Sequence, residues 1–372
     1  LNTLFFIKMT INHITQILED FAPLSYAEDF DNVGLLVGDA STELTGVLVT
    51  LDTLENVVDE AITKNCNLIV SFHPIIFGGL KKITGKNYVE RVVIKAIQNN
   101  IAIYAIHTAL DNSPKGVNAK ICEVLNLTNT NILIPQKNTL KKLTTYIPLD
   151  SVEKVREVLF NAGAGKIGNY SNCSFSTEGK GTYKAHDNAN PVKGIIGETH
   201  TEKEVMLTCI FGKADEHTIV NSLIESHPYE EVAYDIQTLD NTNAYIGIGM
   251  IGELKKEVSE KEFLNDLKLK MKTQMVRHSK LLNKPIKKIA VLGGSGAFAI
   301  GAAKAAGADV FITADLKYHQ FYEAENQMVL ADIGHFETEQ FTKNLLVDYL
   351  TKKIPNFAIH LSESITNPIN YF

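Results

Sequence analysis

Short, nearly continuous apolar runs alternate with helical periods at both ends of this chain. That rhythm constrains the fold more than any single residue does. Residues 46–52 (GVLVTLD), 67–73 (NLIVSFH) and 101–107 (IAIYAIH) read as strands, with helical spacing between them at 55–66 and 88–100. A further amphipathic helix is expected at 11–21, followed by a loop, YAEDFDNVGLLVGD. Strands lacking polar alternation are buried on both faces, and helices between them imply a parallel sheet covered on each side. The pattern returns at 288–292 (KIAVL), 309–315 (DVFITAD) and 328–335 (MVLADIGH), with a helix expected after the second of these. A long amphipathic helix at 338–353 and a last strand at 357–361 close the set.

The middle of the chain has a different grammar. Strand-like 143–149, helical 152–162, extended 172–178 and 181–185, a strand at 205–211, a helix at 216–226 and a strand at 232–239 approximate the β-α-β-β-α-β plan of a ferredoxin-like unit. The expectation is an α/β fold of two similar α/β halves forming one core, with an inserted ferredoxin-like α+β domain. The first half is placed at 1–129, the insertion at 130–242 and the second half at 243–372.

Bulk properties narrow the function. At 372 residues the chain is long enough for two domains and a sizeable core. A formal net charge of −7 argues against broad nucleic-acid binding, because an acidic surface repels phosphate backbones. Cys66, Cys122, Cys173 and Cys209 form no C-x-x-C pair and read as free thiols in a reducing compartment. The N-terminal apolar stretch 4–7 is too short for a signal peptide, and Met9 reads as a natural start. No apolar run reaches membrane-spanning length, so a cytoplasmic protein with no membrane partner is expected.

Open α/β sheets bind ligands at the carboxyl ends of their strands, and here those ends are polar. The first set ends in Asp52, His73 and His107, the second at a GGSG turn, Asp315 and His335. His107 begins H-T-A-L-D and His335 begins H-F-E-T-E, so Asp111 and Glu339 each follow a histidine by four residues. On a first helical turn such a pair points one way. Imidazole with carboxylate suits a mid-hardness divalent ion such as Zn, Mn or Fe. A single strand-end histidine is more often a hydrogen-bonded rim residue, so it is the clustering that carries weight. The turn GGSGAF at 293–298 can cradle an anion on its amides, or be merely a tight strand-to-helix turn. Asp52 reads as a helix cap, His227 as structural, and the segment His278-Ser279-Lys280 as a surface loop or a pocket wall. His319 reads as a support for the site or as an exposed residue.

With DNVGLLVGD (31–39), FHPIIF (72–77), HTALD (107–111), GVN (116–118), RHS (277–279), GGSG (293–296) and GHFETE (334–339), the chain resembles the type 2 GTP cyclohydrolase I homologues, a family also named for a yeast Ngg-interacting factor. The resemblance spans essentially the whole chain. It implies a two-metal centre whose ligands here are His73, Asp111, His335 and Glu339, with Glu339 as the bridge and His107 supporting Asp111 or reaching the metal itself. It also implies one or two divalent ions per chain and a homohexamer. One position departs: the first histidine of the family's H-H-P motif is Phe72, which cannot ligate. The function expected is a metal-dependent hydrolase acting on a nucleotide-like small molecule, with His107, Glu337 and His278 as candidates for proton transfer. The alternative is a metal-binding regulatory or scaffold protein without turnover.

Overall fold

The computed structural model describes residues 8–372, and the apolar stretch 4–7 lies outside them. The first half contains helix α1 (Ile11–Phe21), strands β1 (Gly34–Val37) and β2 (Val47–Thr50), helix α2 (Glu55–Thr63), β3 (Leu68–Ser71) and α3 (Tyr88–Gln98). It continues with β4 (Ala102–Ala105), α4 (His107–Asp111), α5 (Val117–Leu125) and β5 (Thr128–Gln136). The middle contains β6 (Leu140–Pro148), α6 (Val152–Asn161), β7 (Ser174–Lys184), β8 (Thr199–Gly212), α7 (Glu216–Ser226) and β9 (Tyr234–Leu239). The second half has β10 (Asn243–Ser259), α8 (Glu260–Lys270), β11 (Arg277–His278), β12 (Pro285–Ser295) and α9 (Ile300–Ala305). It ends with β13 (Val310–Ala314), β14 (Val329–Asp332), α10 (His335–Glu339), α11 (Thr342–Lys353) and β15 (Ile359–Leu361).

Two compact units result, one from residues 8–135 and 244–372 and the other from Gln136–Asn243. In the first, one sheet has the order β1-β4-β3-β2-β15 and the other β11-β14-β13-β12-β10-β5. Strands β2, β3, β4 and β15 run parallel, as do β12, β13 and β14, with β1 and β11 antiparallel at matching edges. Strand parity explains the apolar runs. Val49, Val70 and Tyr104 face inward with Ile289, Ile312 and Ala331 in one shared core, which also takes in Ile14 and Leu18 of α1, Ile121 of α5, Leu267 of α8 and Leu346 of α11. The alternate residues Leu48, Ile69 and Ile103 face outward under α2 and α3. Phe311, Leu330 and Ala290 do the same beneath α9. Every second residue therefore meets a different apolar layer, leaving no face for polar alternation.

The second unit pairs its strands in the order β7-β8-β6-β9, with Leu143, Leu207 and Phe211 packed against Val155, Leu159, Ile219 and Leu223 of its two helices. This is the ferredoxin-like arrangement.

Several local expectations need correction. The helix expected at 338–353 is two helices, parted at Gln340–Phe341, where the Gln340 side chain donates to Met271 O at 2.8 Å. The helix expected after 309–315 is a 3-10 stretch, Tyr318–Ala324. The extended pieces expected at 172–178 and 181–185 are one strand, β7, kept in register across its glycines by pairing with β8. Among the described residues no helix is long and apolar enough to cross a membrane.

Candidate metal centre

The strands of both sheets in the first unit deliver their polar carboxyl ends to one place. His73 follows β3, held extended by the backbone bond from its N–H to Leu51 O at 2.9 Å. His335 and Glu339 start and end α10, one turn apart, so both side chains leave the same face. The Nε2 atoms of His73 and His335 lie 3.2 and 3.3 Å from the same oxygen, Glu339 Oε2. One ligand atom from each of these three residues falls within 4.8 Å of the others.

The tautomers are set from behind. His73 Nδ1 meets Asp52 Oδ1 at 2.8 Å, His335 Nδ1 meets Asp315 Oδ2 at 2.7 Å, and His107 Nδ1 meets Asp31 Oδ1 at 2.8 Å. With Nδ1 occupied, each ring turns Nε2 forward, as in carboxylate–histidine–metal arrangements. Asp52 is therefore a clamp and not a helix cap; Leu54 occupies the N-cap of α2. The carboxylate of Asp52 reaches across to the end of β3 because β2 and β3 are parallel neighbours. Asp315 adopts a left-handed backbone, φ +58°, a conformation that Asp tolerates better than most residues.

Two buried oxygens, Asp111 Oδ1 and Glu339 Oε2, have no hydrogen-bond partner among the described residues. The contacts of Glu339 Oε2 with both imidazoles are short but misdirected for N–H donation. Donors that crowd together without bonding one another are aimed at a common point, which is what a cation needs. Buried polar atoms of this kind call for an explanation, and an ion supplies one. The residues thus fit a divalent metal.

Protons distribute unevenly within this cluster. Burial pushes the Asp111 carboxyl well above its usual range, and the Glu339 charge adds to that. Burial also opposes ionisation of Glu339, but the His335 and His73 imidazoles close beside it overcome this and hold the carboxyl near 2. Burial would lower His73, yet Asp52 and Glu339 raise it to about 10; His335 rises to about 9 for the same reasons, with Glu339 and Asp315 as partners. Asp31, despite its burial, is drawn down to about 2 by His107 and Thr108.

Phe72 is fully buried in the shared core, its ring edging His73 and His107 at 4.9 and 5.5 Å between centroids. It offers a wall and no donor. His107 lies 5.2 Å from His73 between ring centroids, and its Nε2 has no hydrogen-bond partner among the described residues. Glu337 turns the other way along α10, toward Asn367 and the Tyr371 hydroxyl. His278 is exposed on β11, its Nδ1 bonded to Ser279 O at 2.7 Å, and it lines a separate groove with Tyr318 and Tyr322. His319 is exposed and meets Tyr318 edge-on and Tyr322 at a tilt. His227 is buried and bonded to Tyr146 O, a structural role.

The GGSG turn supports the centre, and its first two amides are not free for an anion. Gly293 N–H donates to Asn118 Oδ1 and Gly294 N–H to Thr338 Oγ1, so both amides are spent internally. Gly294 has φ +69°, and a Cβ there would stand 2.5 Å from Glu339 Oε1. The turn's glycine is what lets the carboxylate lie against the backbone.

Three supports carry no isolated sequence signal: Asp31, Asn118 and Asp332. Asp332 binds Arg277 at 3.0 Å and accepts the amides of Leu316 and Gly334, fixing the approach to His335. Asn118 also donates to Asp111 O at 3.2 Å, tying α4 to the rim of the other sheet. Asp31 and Asn118 lie within family motifs, which was the available signal.

The sequence model of the Duf34/NIF3 family (NGG1p interacting factor 3) matches residues 9–368. The chain belongs to this family. A Bacillus subtilis relative called "GTP cyclohydrolase 1 type 2 homolog" is 40% identical, covering 96% of this chain and 97% of that protein. A Staphylococcus epidermidis relative of the same name is 35% identical over 98% of this chain and all of its own. Among solved structures, a Bacillus cereus protein related to NIF3 superposes with a TM-score of 0.84 at 35% identity, covering 98% of this chain and all of that one. Within this NIF3-family fold, the candidate centre lies at the carboxyl ends of the parallel strands of two mixed sheets.

Proposed function

We propose that the first unit is a metal-dependent hydrolase acting on a nucleotide-like heterocyclic small molecule, with His73, Asp111, His335 and Glu339 as ligands for one or two divalent ions. The observation that carries this reading is the buried, unbonded Glu339 Oε2 beside two imidazoles whose Nδ1 atoms are already clamped, with Asp111 Oδ1 a second buried oxygen that has no partner among the described residues. When bound, a Zn, Mn or Fe ion would supply Lewis acidity and make water a nucleophile near neutral pH. The chain's own residues do the rest. Asp52 and Asp315 fix the two ligand imidazoles, and Asp31 fixes His107. His107 Nε2 is the favoured proton acceptor, being the candidate nearest the cluster; Glu337 and His278 face elsewhere. The relatives' shared name motivates a nucleotide-like substrate, while no residue of the centre selects guanine.

The test is turnover of nucleoside triphosphates by protein loaded separately with Zn, Mn or Fe, beside Glu339→Ala. Metal-dependent product formation lost in the variant supports the reading. Full metal content with no turnover favours a second one, a regulatory or scaffold protein, for which Phe72 speaks because it withholds a donor at the centre's wall. A homohexamer is proposed from family resemblance, and light scattering with and without chelator tests whether assembly depends on metal.

A further inference from the structure

Two phenylalanines stand exposed beside the centre, and the chemistry above leaves them unused. Phe30 is 67% exposed and Phe77 53%. Single apolar side chains on a surface are ordinary and ask for no explanation. These two adjoin one another and the site. Their ring centroids lie 6.3 Å apart at 57°, and Phe77 meets the His107 ring edge-on at 6.3 Å. His107 in turn lies against His73.

The rings are held out by fixed backbone. Phe30 is followed by Asp31, whose carboxylate takes His107 Nδ1 and the Thr108 N–H at 3.0 Å. Two residues before it, the Glu28 N–H donates to Thr108 Oγ1 at 3.0 Å, and Glu28 Oε1 accepts Asn112 Nδ2 at 2.9 Å. Both flanks of Phe30 are therefore pinned to α4 and Asn112, its C-cap, the helix that opens with His107. Asn32 Nδ2 donates to Ile76 O and joins this loop to the one bearing Phe77. Ile75, two residues before Phe77, is buried in the layer under α2 and α3. Apolar rings on anchored loops are pre-formed, so a flat ligand can cover them without first ordering them. A phenyl face offers dispersion and π-stacking but no hydrogen bond. It separates an aromatic ring from a sugar or a phosphate, and it does not separate one base from another.

We propose that Phe77, with Phe30 beside it, is the platform on which the substrate's aromatic ring stacks next to His107, a role that rests on the reading of the centre as acting on a nucleotide-like heterocycle. The class of ligand is thereby narrowed to those with an aromatic base, with little preference among bases.

The probes are guanosine 5′-monophosphate and ribose 5-phosphate, the same sugar phosphate with and without a base, titrated calorimetrically into the zinc-loaded full chain. The nucleotide is expected to bind at least about tenfold more tightly, the gain typical of one base–aromatic stack. Adenosine 5′-monophosphate should bind within about fivefold of the guanosine nucleotide. Phe77→Ala should remove most of the tenfold preference and Phe30→Ala a smaller part, with ribose 5-phosphate affinity and zinc content unchanged in both. Neither truncation opens a hole in the core, because both side chains are exposed. The chain has no tryptophan, so Phe77→Trp keeps the platform and adds a single reporter. Its emission should be quenched by the nucleotide and not by ribose 5-phosphate.

Equal affinity for nucleotide and sugar phosphate, no binding of either, or a base preference that survives Phe77→Ala would overturn the proposal. So would a changed oligomeric state in Phe77→Ala with probe affinities intact, which would give the rings to a contact between copies of the chain. Turnover is read separately. Base preference without hydrolysis keeps the platform and removes the hydrolase, and hydrolysis without base preference does the reverse.

Discussion

Placed side by side, the sheet that carries His73 and the sheet that carries His335 match strand for strand. Each has an antiparallel edge, β1 or β11, then three parallel strands, β4-β3-β2 or β14-β13-β12. In each, the strand next to that edge runs into a five-residue helix opening with histidine and closing with an acid, α4 or α10. One strand further in, the match fails: β3 leads to His73, while β13 leads to Asp315, which clamps a histidine instead of offering one. The first sheet therefore presents two clamped imidazoles and the second presents one, together with the carboxylate that meets His73 across the gap. Two similar scaffolds have been furnished unequally, and the centre is complete only when both are present.

That inequality can be broken at the acids that close the two short helices. Asp111→Ala and Glu339→Ala should each reduce metal affinity by more than about 100-fold, exceeding the loss typical of supporting residues. Elemental analysis of purified protein reads this directly; full metal content in both variants would remove these helices from the centre. Next come the clamps. Asp52→Asn and Asp315→Asn should each weaken metal binding about 10- to 100-fold. If only Asp52→Asn has an effect, the first sheet does the holding and the second merely closes the site.

Protons sharpen the contrast further. His73 and His335, raised to about 10 and about 9 from the ordinary 6.5, hold protons at neutral pH that a cation must displace. Metal affinity should therefore rise with pH, about tenfold per unit for each proton displaced, and level off above pH 10. Without metal the sign reverses. The raised values stabilise the fold fully below pH 6.5, and that contribution is lost as pH climbs through 9 to 10. Competition with a chelator across pH 6 to 10 measures the first effect and denaturant midpoints the second. The smallest effect is expected at Gly294→Ala, about 1–3 kcal/mol of stability from a left-handed backbone position, with Glu339 displaced as well. A variant as stable as the native chain, with full metal content, would show that the turn does not shape the centre.

The strands buried on both faces were legible because such strands are written as apolar runs, and β2, β3, β4 and β13 stand where those runs do. Edge strands were not: β1 lies in what reads as a loop and β11 is two residues long, so neither has room for a pattern. Strands β5 and β10 also escaped, being mixed in polarity at the junctions with the second unit. At the centre, histidines at strand ends could be read because that location is unusual for them. The aspartates behind them could not, since a carboxylate beside a helix start looks like a cap whichever way it turns. Asp52 turned toward a neighbouring strand, and only pairing reveals a neighbour.

Strand β15 adds a consequence in time. It completes the first sheet by lying parallel to β2, so that Ile359 pairs with Val47. At ribosomal rates of about 5–20 residues per second, β2 waits roughly 15 to 60 s for this partner. Through that interval its outer edge is an unpaired apolar strand, open to any other extended chain nearby. The nascent protein carries its greatest risk of misassociation before Ile359–Leu361 emerge, and it is the arrival of β15 that brings this to a close.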